Sequence, residues 1–294
     1  MPAISPELRR KEVALEDRLG AAGRVLVAFS GGVDSAYLAY AAHRALGDGA
    51  LAITAVSPSY PAHHREVAEE VVRRFGLAHR FVDTREMERE AYRKNAPDRC
   101  YHCKSELFEV MGRLGQELGF PAVAYGVNTD DRGDFRPGHR AADERGVLSP
   151  FLDVELSKQE IRALSRAAAL PTADLPASAC LASRLPYGVR VTPERLAQVE
   201  QGEARLRAMG FRQMRLRHHG PLARLEIAPE ELPRALDPAM ARALVEAIKP
   251  LGFRFVALDL EGYRSGALNE VLDAAPGSPA GGPSEVPTGA VRRP

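Results

Sequence analysis

Two groups of residues in this chain have types and spacing that could perform chemistry. The first is the hexapeptide Ser30-Gly31-Gly32-Val33-Asp34-Ser35, which follows an apolar segment and precedes a helical pattern. Glycines let the backbone turn tightly and approach a ligand, and the N–H groups at a helix start attract an anion. Ser30 and Ser35 add hydroxyl donors, and Asp34 could orient a backbone N–H or help to hold Mg²⁺ between phosphate oxygens. The hexapeptide favours a phosphate-binding loop over an ordinary strand-to-helix turn, and it lacks the GxxxxGK[ST] pattern of a Walker A loop.

The second group consists of the three cysteines. Cys100 and Cys103 form a C-x₂-C pair immediately before a predicted helix, whereas Cys180 lies in an irregular stretch rich in Pro, Ser and Ala. Zinc would need a fourth ligand such as His102, whereas an iron–sulfur cluster held by three thiolates leaves one iron open for a substrate or a sulfide. The alternative is two small buried cysteines without a shared role. A positive neighbour, Arg184, favours the thiolate form of Cys180.

A second polar loop follows the fourth predicted strand, at residues 125–131, and continues to residues 136–138. Loops at the carboxyl ends of parallel strands face one crevice, so Gly126 and Asp130 are expected opposite the phosphate loop, where acids could hold a metal. A solvated turn rich in Asn and Asp is the alternative. Lys104 could stabilise negative charge that develops on the phosphates, or it could be an ordinary exposed helix lysine.

Alternating apolar runs and amphipathic segments must position these groups. The predicted strands are residues 24–29, 51–56, 79–82 and 122–125, and the predicted helices are residues 35–46, 61–75, 104–118 and 157–168. The last helix opens with Ser157 as N-cap and Glu160 three residues later, and the N-terminus is itself a charged amphipathic helix. This alternation predicts an α/β domain with an open parallel sheet over residues 1–170.

A smaller unit is predicted after a connector. Residues 171–191, which carry Cys180, lack a clear period and would join the two parts. Residues 192–272 are predicted to form a C-terminal α+β domain, with helices at 193–209 and 238–248 and strands at 213–218, 223–227 and 254–258. Residues 273–294 carry too few apolar side chains to offset their ordering entropy and are predicted to be disordered.

One predicted strand of the smaller unit is basic. Arg215 and Arg217 alternate with apolar residues, so their guanidinium groups would lie on one face, which Arg224 of the next strand could join. Arginine is well suited to bidentate recognition of phosphate. A solvated sheet face is the alternative.

Composition bounds the partners and the compartment. Lys and Arg number 40 against 39 Asp and Glu, and the resulting net charge of +1 provides no global attraction to nucleic acid or to an anionic membrane. No run approaches a transmembrane span, and the N-terminus has no apolar core of signal-peptide length. We therefore expect a cytoplasmic protein, in which three cysteines serve reactivity or metal binding better than a disulfide framework.

The hexapeptide SGGVDS resembles the signature of the PP-loop ATP pyrophosphatases. Five further segments make the chain similar to the LarE family of ATP-dependent sulfur transferases, over most of residues 5–270: PDRCYHCKSELF, GVNTDDRGDFRPG, PASACLASRLPYGVRVTPE, ARLEI and GFRFVALDLEGYRSG. The resemblance implies an adenine nucleotide alpha hydrolase-like fold that uses ATP and Mg²⁺, with Ser57 near the adenine. It also implies adenylation of the carboxylates of pyridinium-3,5-biscarboxylic acid mononucleotide and their conversion to thiocarboxylates, towards a nickel-pincer nucleotide. A sulfide source and a downstream nickel-insertion protein are then implied partners.

The resemblance places the sulfur donor on Cys180. In one version of the family a lone cysteine gives up its sulfur and becomes dehydroalanine, and in the other three cysteines hold a [4Fe-4S] cluster whose open iron carries an extra sulfide. Cys100, Cys103 and Cys180 match the second version. The resemblance also implies an intersubunit site for the substrate phosphate, and hence a homo-oligomer; this site would include Ser183, Arg184, Glu203, Arg215 and Arg217.

Other functions remain as alternatives. A different PP-loop chemistry would thiolate tRNA or would amidate a carboxylate, as in NAD and GMP synthetases. The near-neutral charge and the lack of a recognisable RNA-binding appendage disfavour the first, and the lack of a glutaminase domain disfavours the second. A non-catalytic nucleotide-binding module would not need three cysteines.

Overall fold

The N-terminal part of the molecule is built on a parallel sheet. A computed structural model describes residues 4–133, 137–176, 179–264, 266–268 and 270. Its larger sheet has the order β3-β2-β1-β4, with every neighbouring pair parallel. The strands are β1 (Val25–Ala28), β2 (Ala50–Val56), β3 (His79–Asp83) and β4 (Ala122–Tyr125). The predicted open parallel α/β sheet is confirmed.

Helices cover this sheet and join its strands. They are α1 (Pro6–Gly20), α2 (Val33–Leu46), α3 (Ala62–Phe75), α4 (Glu90–Arg93), α5 (Arg99–Leu118), α6 (Pro137–Asp143), α7 (Pro150–Asp153) and α8 (Lys158–Ala167). At α8, Ser157 accepts from the Glu160 N–H while the Glu160 side chain accepts from the Ser157 N–H, which confirms the predicted capping box.

Two predictions about the helices are wrong. α5 begins at Arg99 rather than at Lys104, so Cys100 and Cys103 lie within its first two turns instead of before it. The apolar period of this helix starts only further along, and its polar first turn therefore looked like a loop. The second polar loop does not continue through residues 137–138, because α6 begins at Pro137. Residues 134–136 of that predicted loop lie outside the described residues.

The smaller unit is a mixed three-stranded sheet with helices, as predicted. Strands β5 (Met214–His219) and β6 (Leu222–Ile227) are antiparallel, and β6 pairs in parallel with β7 (Phe255–Leu258). The helices of this unit are α9 (Pro193–Ala208), α10 (Leu232–Leu236) and α11 (Pro238–Ile248). The predicted disordered segment, residues 273–294, lies outside the described residues.

The connector is packed rather than loose. Its residues Leu181, Leu185 and Val191 are almost fully buried in the same apolar cluster as Tyr92 and the residues of the smaller sheet. A separate core fills the space between α1, α2 and the parallel sheet. Cys180 is therefore held next to structured elements on both sides. Within the described part of the chain, no helix has the length and apolar character needed to cross a membrane.

Candidate active site

The phosphate loop leaves the end of β1 and leads into α2. Gly32, just before the helix, has extended backbone angles and no side-chain cap among the described residues. The Ser30 N–H donates to Ser35 Oγ at 3.1 Å, and Ser35 Oγ donates to the Gly32 carbonyl at 3.0 Å. Gly31 has a φ of 81°, and a Cβ there would lie 2.8 Å from the His64 carbonyl oxygen. The first N–H groups of α2 thus have an arrangement that suits an anion, and a side chain at Gly31 would not fit in this loop.

A lysine that the sequence analysis did not identify contacts this loop. Lys158, the first residue of α8, forms an ion pair with Asp34, and its backbone N–H donates to Asp130 Oδ2 at 3.2 Å. Asp34 Oδ1 is buried and has no hydrogen-bond partner in the described structure. Burial raises the pKa of Asp34 above its usual value, and although Lys158 opposes this, the net direction is upward. A buried carboxylate oxygen next to a tethered cation can accept a metal ion in place of the lysine.

The second polar loop lies directly against the phosphate loop. A Cβ at Gly126 would lie 3.0 Å from the Asp34 carbonyl carbon and 3.1 Å from the Ser35 nitrogen. Asp131 Oδ2 accepts from the Asn128 N–H at 3.1 Å, so this loop also fixes its own acids. Parallel topology predicts this meeting of two loops at the carboxyl edge of the sheet.

The donor set suits Mg²⁺, which is usually held by one or two carboxylates together with substrate phosphates. In the described ranges, no three or more His, Cys, Asp or Glu side chains are arranged so that they alone could hold a metal ion. Asp34, with its unpaired oxygen, and Asp130 would therefore bind Mg²⁺ only with phosphate oxygens completing the coordination.

At the end of β2, Ser57 contacts a buried glutamate that the sequence did not reveal. Both Ser57 Oγ and Ser59 Oγ donate to Glu86 Oε1, the second at 2.9 Å. Glu86 is 2% exposed, and its Oε2 has no partner in the described residues. The Ser59 carbonyl accepts from the Leu181 N–H at 2.9 Å. The segment that carries Cys180 is therefore attached to the same edge of the sheet as the phosphate loop.

The three cysteines are brought to one region of the molecule. Each is free of a disulfide; Cys100 is exposed, whereas Cys103 and Cys180 are half-buried and pack against the C-terminal core. Burial raises the pKa of the Cys103 thiol, and the charges of Glu86 and Cys180 raise it further. Thiolate charge on Cys180 or Cys100 would also act on the buried Arg99.

Thiolates are the usual ligands of an iron–sulfur cluster, so the donor types at this region fit one. The thiols interact with one another in pairs, yet the described residues do not form a ready-made three-ligand metal group. The chemistry of the donors therefore fits the cluster. Lys104 is half-buried: its Cγ would lie 3.0 Å from a Cβ at Gly138, and its Nζ lies 6.0 Å from the centre of the Phe108 ring.

The arginines of the basic strand are buried, so the alternative of a solvated sheet face is wrong. Arg217 donates two hydrogen bonds of 2.9 Å to Glu226 and one of 2.8 Å to the Ser183 carbonyl. Arg215 is 9% exposed and lies 4.8 Å from the centre of the Tyr263 ring. As the sequence suggested, Arg224 joins this face through Glu226, at 2.8 Å.

Arg184 is completely buried and links the connector to α9. Its Nε and Nη2 donate to the two carboxylate oxygens of Glu203 at 2.8 and 3.0 Å. Its Nη1 donates to the carbonyl oxygens of Ala179 and Cys180 at 2.6 and 3.0 Å. This arginine therefore fixes the backbone on both sides of the Cys180 side chain.

Two histidines at the start of α3 lie between the phosphate loop and these arginines, and sequence reasoning missed them. The ring centres of His63 and His64 are 4.3 Å apart. Burial, together with the charges of Arg184 and Arg215, lowers the pKa of His64 to about 4. Burial and the neighbouring His64 likewise lower the pKa of His63 to about 3. No sequence pattern distinguished this pair from exposed helix residues.

The sequence of this chain is similar to one protein family model and to several known proteins. The sequence model of the asparagine synthase family matches residues 11–107. An uncharacterized protein of Synechocystis, slr1717, is 44% identical over 265 residues, which are 90% of this chain and 99% of that protein. The pyridinium-3,5-bisthiocarboxylic acid mononucleotide synthase of Lactiplantibacillus plantarum is 31% identical over 269 residues, which are 91% of this chain and 97% of that enzyme. The uncharacterized protein MJ0830 of Methanocaldococcus jannaschii is 33% identical over 58% of this chain and 66% of its own length.

Proposed function

Because this chain belongs to the LarE family of ATP-dependent sulfur transferases, within the PP-loop group of ATP-using enzymes, we propose that it converts carboxylates of pyridinium-3,5-biscarboxylic acid mononucleotide into thiocarboxylates. The observation that carries the proposal is the bond between the Leu181 N–H and the Ser59 carbonyl, 2.9 Å long. It attaches the Cys180 segment to the carboxyl edge of the sheet, where the phosphate loop also lies. A group that is activated by ATP and a sulfur that displaces AMP must meet at one place, and this edge supplies it.

The first step is adenylation. The N–H groups at the start of α2 bind phosphate, and a carboxylate oxygen of the substrate attacks the α-phosphorus of ATP. The bond from that phosphorus to its bridging oxygen breaks, and pyrophosphate leaves with the electron pair. Asp34 and Asp130 would hold Mg²⁺ against the phosphates, and Lys158, displaced from Asp34, would pair with phosphate charge, to which Lys104 could also contribute.

The second step replaces AMP with sulfur. The sulfur nucleophile attacks the acyl carbon, and the carbon–oxygen bond to AMP breaks with its electron pair going to the phosphate. A [4Fe-4S] cluster held by Cys100, Cys103 and Cys180 would supply an open iron that carries the sulfide, and an external sulfide source would replenish it. The rival donor is the Cys180 sulfur itself, which leaves dehydroalanine and limits each chain to one turnover. The gathering of all three cysteines in one region supports the cluster.

The substrate phosphate is proposed to bind near the basic strand. The charges of Arg184, Arg207 and Arg215 all act on His64, whereas the carboxylates that pair with these arginines are Glu203, 2.8 Å from Arg184, and Glu200, 3.7 Å from Arg207, so the positive charges of this group outnumber the negative ones by one. That excess suits a phosphate dianion. Ser183 and Arg217, which contact each other through a carbonyl, lie in the same group. We further propose that a second copy of the chain completes this site and that a nickel-insertion protein accepts the product.

Anaerobic purification with iron and sulfide analysis, followed by turnover and intact mass measurement, tests the proposal. We expect pyrophosphate release only when both ATP and the carboxylated nucleotide are present, bound iron and sulfide, and an unchanged protein mass. Absence of iron, together with a mass loss equal to H₂S at Cys180, would establish the sacrificial donor instead. If pyrophosphate is not released, the chain is a nucleotide-binding module and the proposal fails.

A matched variant separates the two sulfur donors. Cys100→Ala removes a proposed cluster ligand and leaves the Cys180 sulfur in place. We expect this variant to lose its iron and its multiple turnovers. Retention of multiple turnovers by Cys100→Ala would contradict the cluster. A requirement for tRNA in place of the nucleotide, or for ammonia in place of sulfur, would indicate another PP-loop chemistry.

A further inference from the structure

A buried asparagine joins the turn before the C-x₂-C pair to the connector. Asn95 is 0% exposed and has a φ of 55°, in the left-handed region that non-glycine residues adopt rarely. Its Nδ2 donates to the carbonyl oxygens of Pro186 and Val189 at 2.8 and 2.9 Å. Its own carbonyl accepts from the Gly188 N–H at 3.0 Å. The same Nδ2 donates to the Leu185 carbonyl oxygen at 3.4 Å. One residue of the α4–α5 turn thus holds four backbone groups of the segment that follows Cys180.

Arg99, the residue before Cys100, extends this link. It is 3% exposed, and its Nη1 donates both to Asn95 Oδ1 and to the Ala182 carbonyl, the latter at 2.9 Å. A guanidinium keeps its charge and its fixed fork of donors in a protein interior. The start of α5 is therefore joined to the connector two residues after Cys180.

We propose that Asn95 and Arg99 form a positioning clamp that fixes the Cys180 sulfur relative to the sulfurs of Cys100 and Cys103. The connector has little regular structure of its own, so the place of its sulfur depends on the side chains that hold its backbone. The clamp joins the two elements that carry the cysteines, and it touches their backbones rather than the substrate. This inference rests on the proposed sulfur site, because it assigns the residues that bring the three thiols together.

A fluorogenic reagent that bridges two nearby thiols tests the clamp on the full chain, reduced and freed of iron, with the bridged peptides identified by mass. In the unmodified protein we expect Cys180 to be bridged to Cys100 or Cys103. Asn95→Gly removes the amide and keeps the left-handed backbone, since glycine adopts it without strain. Arg99→Lys keeps the charge and loses the fork. Because each variant loses hydrogen bonds that hold the connector backbone, we expect the bridged fraction of Cys180 to fall about tenfold.

Ala169→Gly is the matched control. Ala169 is exposed and also left-handed, with a φ of 56°, and it follows α8, where it makes none of the hydrogen bonds of the clamp. We expect the bridged fraction of Cys180 in this variant to equal that in the unmodified protein. Iron content after anaerobic reconstitution is the second measurement, and it should fall in both clamp variants and not in this control.

The outcomes separate the clamp from the sulfur site. A clamp variant that melts cooperatively and bridges Cys180 as well as the unmodified protein would overturn the clamp and leave the sulfur site standing. Failure of the unmodified protein to bridge Cys180 at all would overturn both. If Asn95→Gly does not fold, Asn95→Asp, which keeps the acceptor for Arg99 and loses the two donors, is judged by the same criterion together with Arg99→Lys.

Discussion

Replacement of Glu203 by alanine would test how strongly the connector is held to the C-terminal unit. Arg184 and Glu203 are 0% and 1% exposed at the side chain, and their two hydrogen bonds are 2.8 and 3.0 Å long. Glu203 Oε1 also accepts from the Leu216 N–H at 3.2 Å. The substitution therefore leaves a buried guanidinium without its counter-charge and a buried backbone N–H without that acceptor.

The expected decrease in the free energy of unfolding is large for a single substitution. Removal of one partner from a buried ion pair costs about 3–5 kcal/mol, because the remaining charge stays desolvated. We expect Glu203→Ala to lose about 4 kcal/mol, which is a substantial part of the roughly 5–15 kcal/mol that stabilises a typical domain. Glu203→Gln keeps the shape and one acceptor, so its loss should be smaller, about 2 kcal/mol.

Urea unfolding followed by far-UV circular dichroism measures these losses, with an unchanged slope as the check on a common unfolded state. Glu69→Gln is the control, because its carboxylate forms a 3.0 Å pair with Arg65 in which both side chains are about half exposed. Such a surface pair should contribute less than about 1 kcal/mol. A loss at Glu203→Ala no larger than that of the control would refute the reasoning.

The same pair predicts a dependence on pH. Burial alone would raise the pKa of Glu203, but the charge and hydrogen bonds of Arg184 outweigh it, and the pKa lies below the usual value of 4.5. Below pH 4.5, Glu203 becomes protonated in the unfolded chain while it is still ionised in the folded chain. The free energy of unfolding therefore decreases as the pH falls. The stabilisation by Glu203 is therefore complete above pH 4.5. Below this pH, the difference in the free energy of unfolding between the unmodified protein and Glu203→Ala should become smaller.

Three further predictions concern the nucleotide edge of the molecule. Asp34→Asn should slow pyrophosphate release about 100-fold at saturating ATP, because the carboxylate proposed to hold Mg²⁺ is lost; an unchanged rate would remove Asp34 from the metal site. Gly126→Ala should raise the KM for ATP, because its Cβ would lie 3.0 Å from the Asp34 backbone, whereas Gly112→Ala, with no atom within 4 Å, should leave KM unchanged. The pKa values of His63 and His64 are lowered, so only the unfolded chain takes up their protons as the pH falls from 6.5 towards 4, and the free energy of unfolding should decrease over this range. Urea unfolding of His64→Phe should show a shallower decrease. A pH profile identical to that of the unmodified protein would contradict this.

The sequence contained enough to predict the strands of the parallel sheet, although not their order. Its strands are short apolar runs, its helices have clear amphipathic periods, and the Ser157 capping box fixes where α8 begins. The start of α5 could not be predicted because the residues around Cys100 and Cys103 show no apolar period. Tertiary contacts extend that helix back to Arg99, whose guanidinium is buried.

Partners across the fold could not be predicted. Lys158 pairs with Asp34 from 124 residues away, and neither residue's local pattern indicates the other. The burial of the basic strand likewise depends on register, since β5 and β6 place Arg215 directly opposite Glu226. An arginine pattern on one strand has the same period whether a carboxylate or water faces it, so the sequence alone left both possibilities open.

The contacts that hold the connector constrain the proposed sulfur transfer more than the identity of the sulfur donor does. Before Leu185 the segment is bonded to Ser59 and Glu203, and after it to Asn95. The Cys180 backbone is thus fixed from the ATP-binding part and from the C-terminal unit together. In the proposed mechanism the adenylated carboxylate would therefore be brought to the Cys180 sulfur. The choice between one turnover and many would then depend on whether that sulfur is replaced, and not on how far the connector moves.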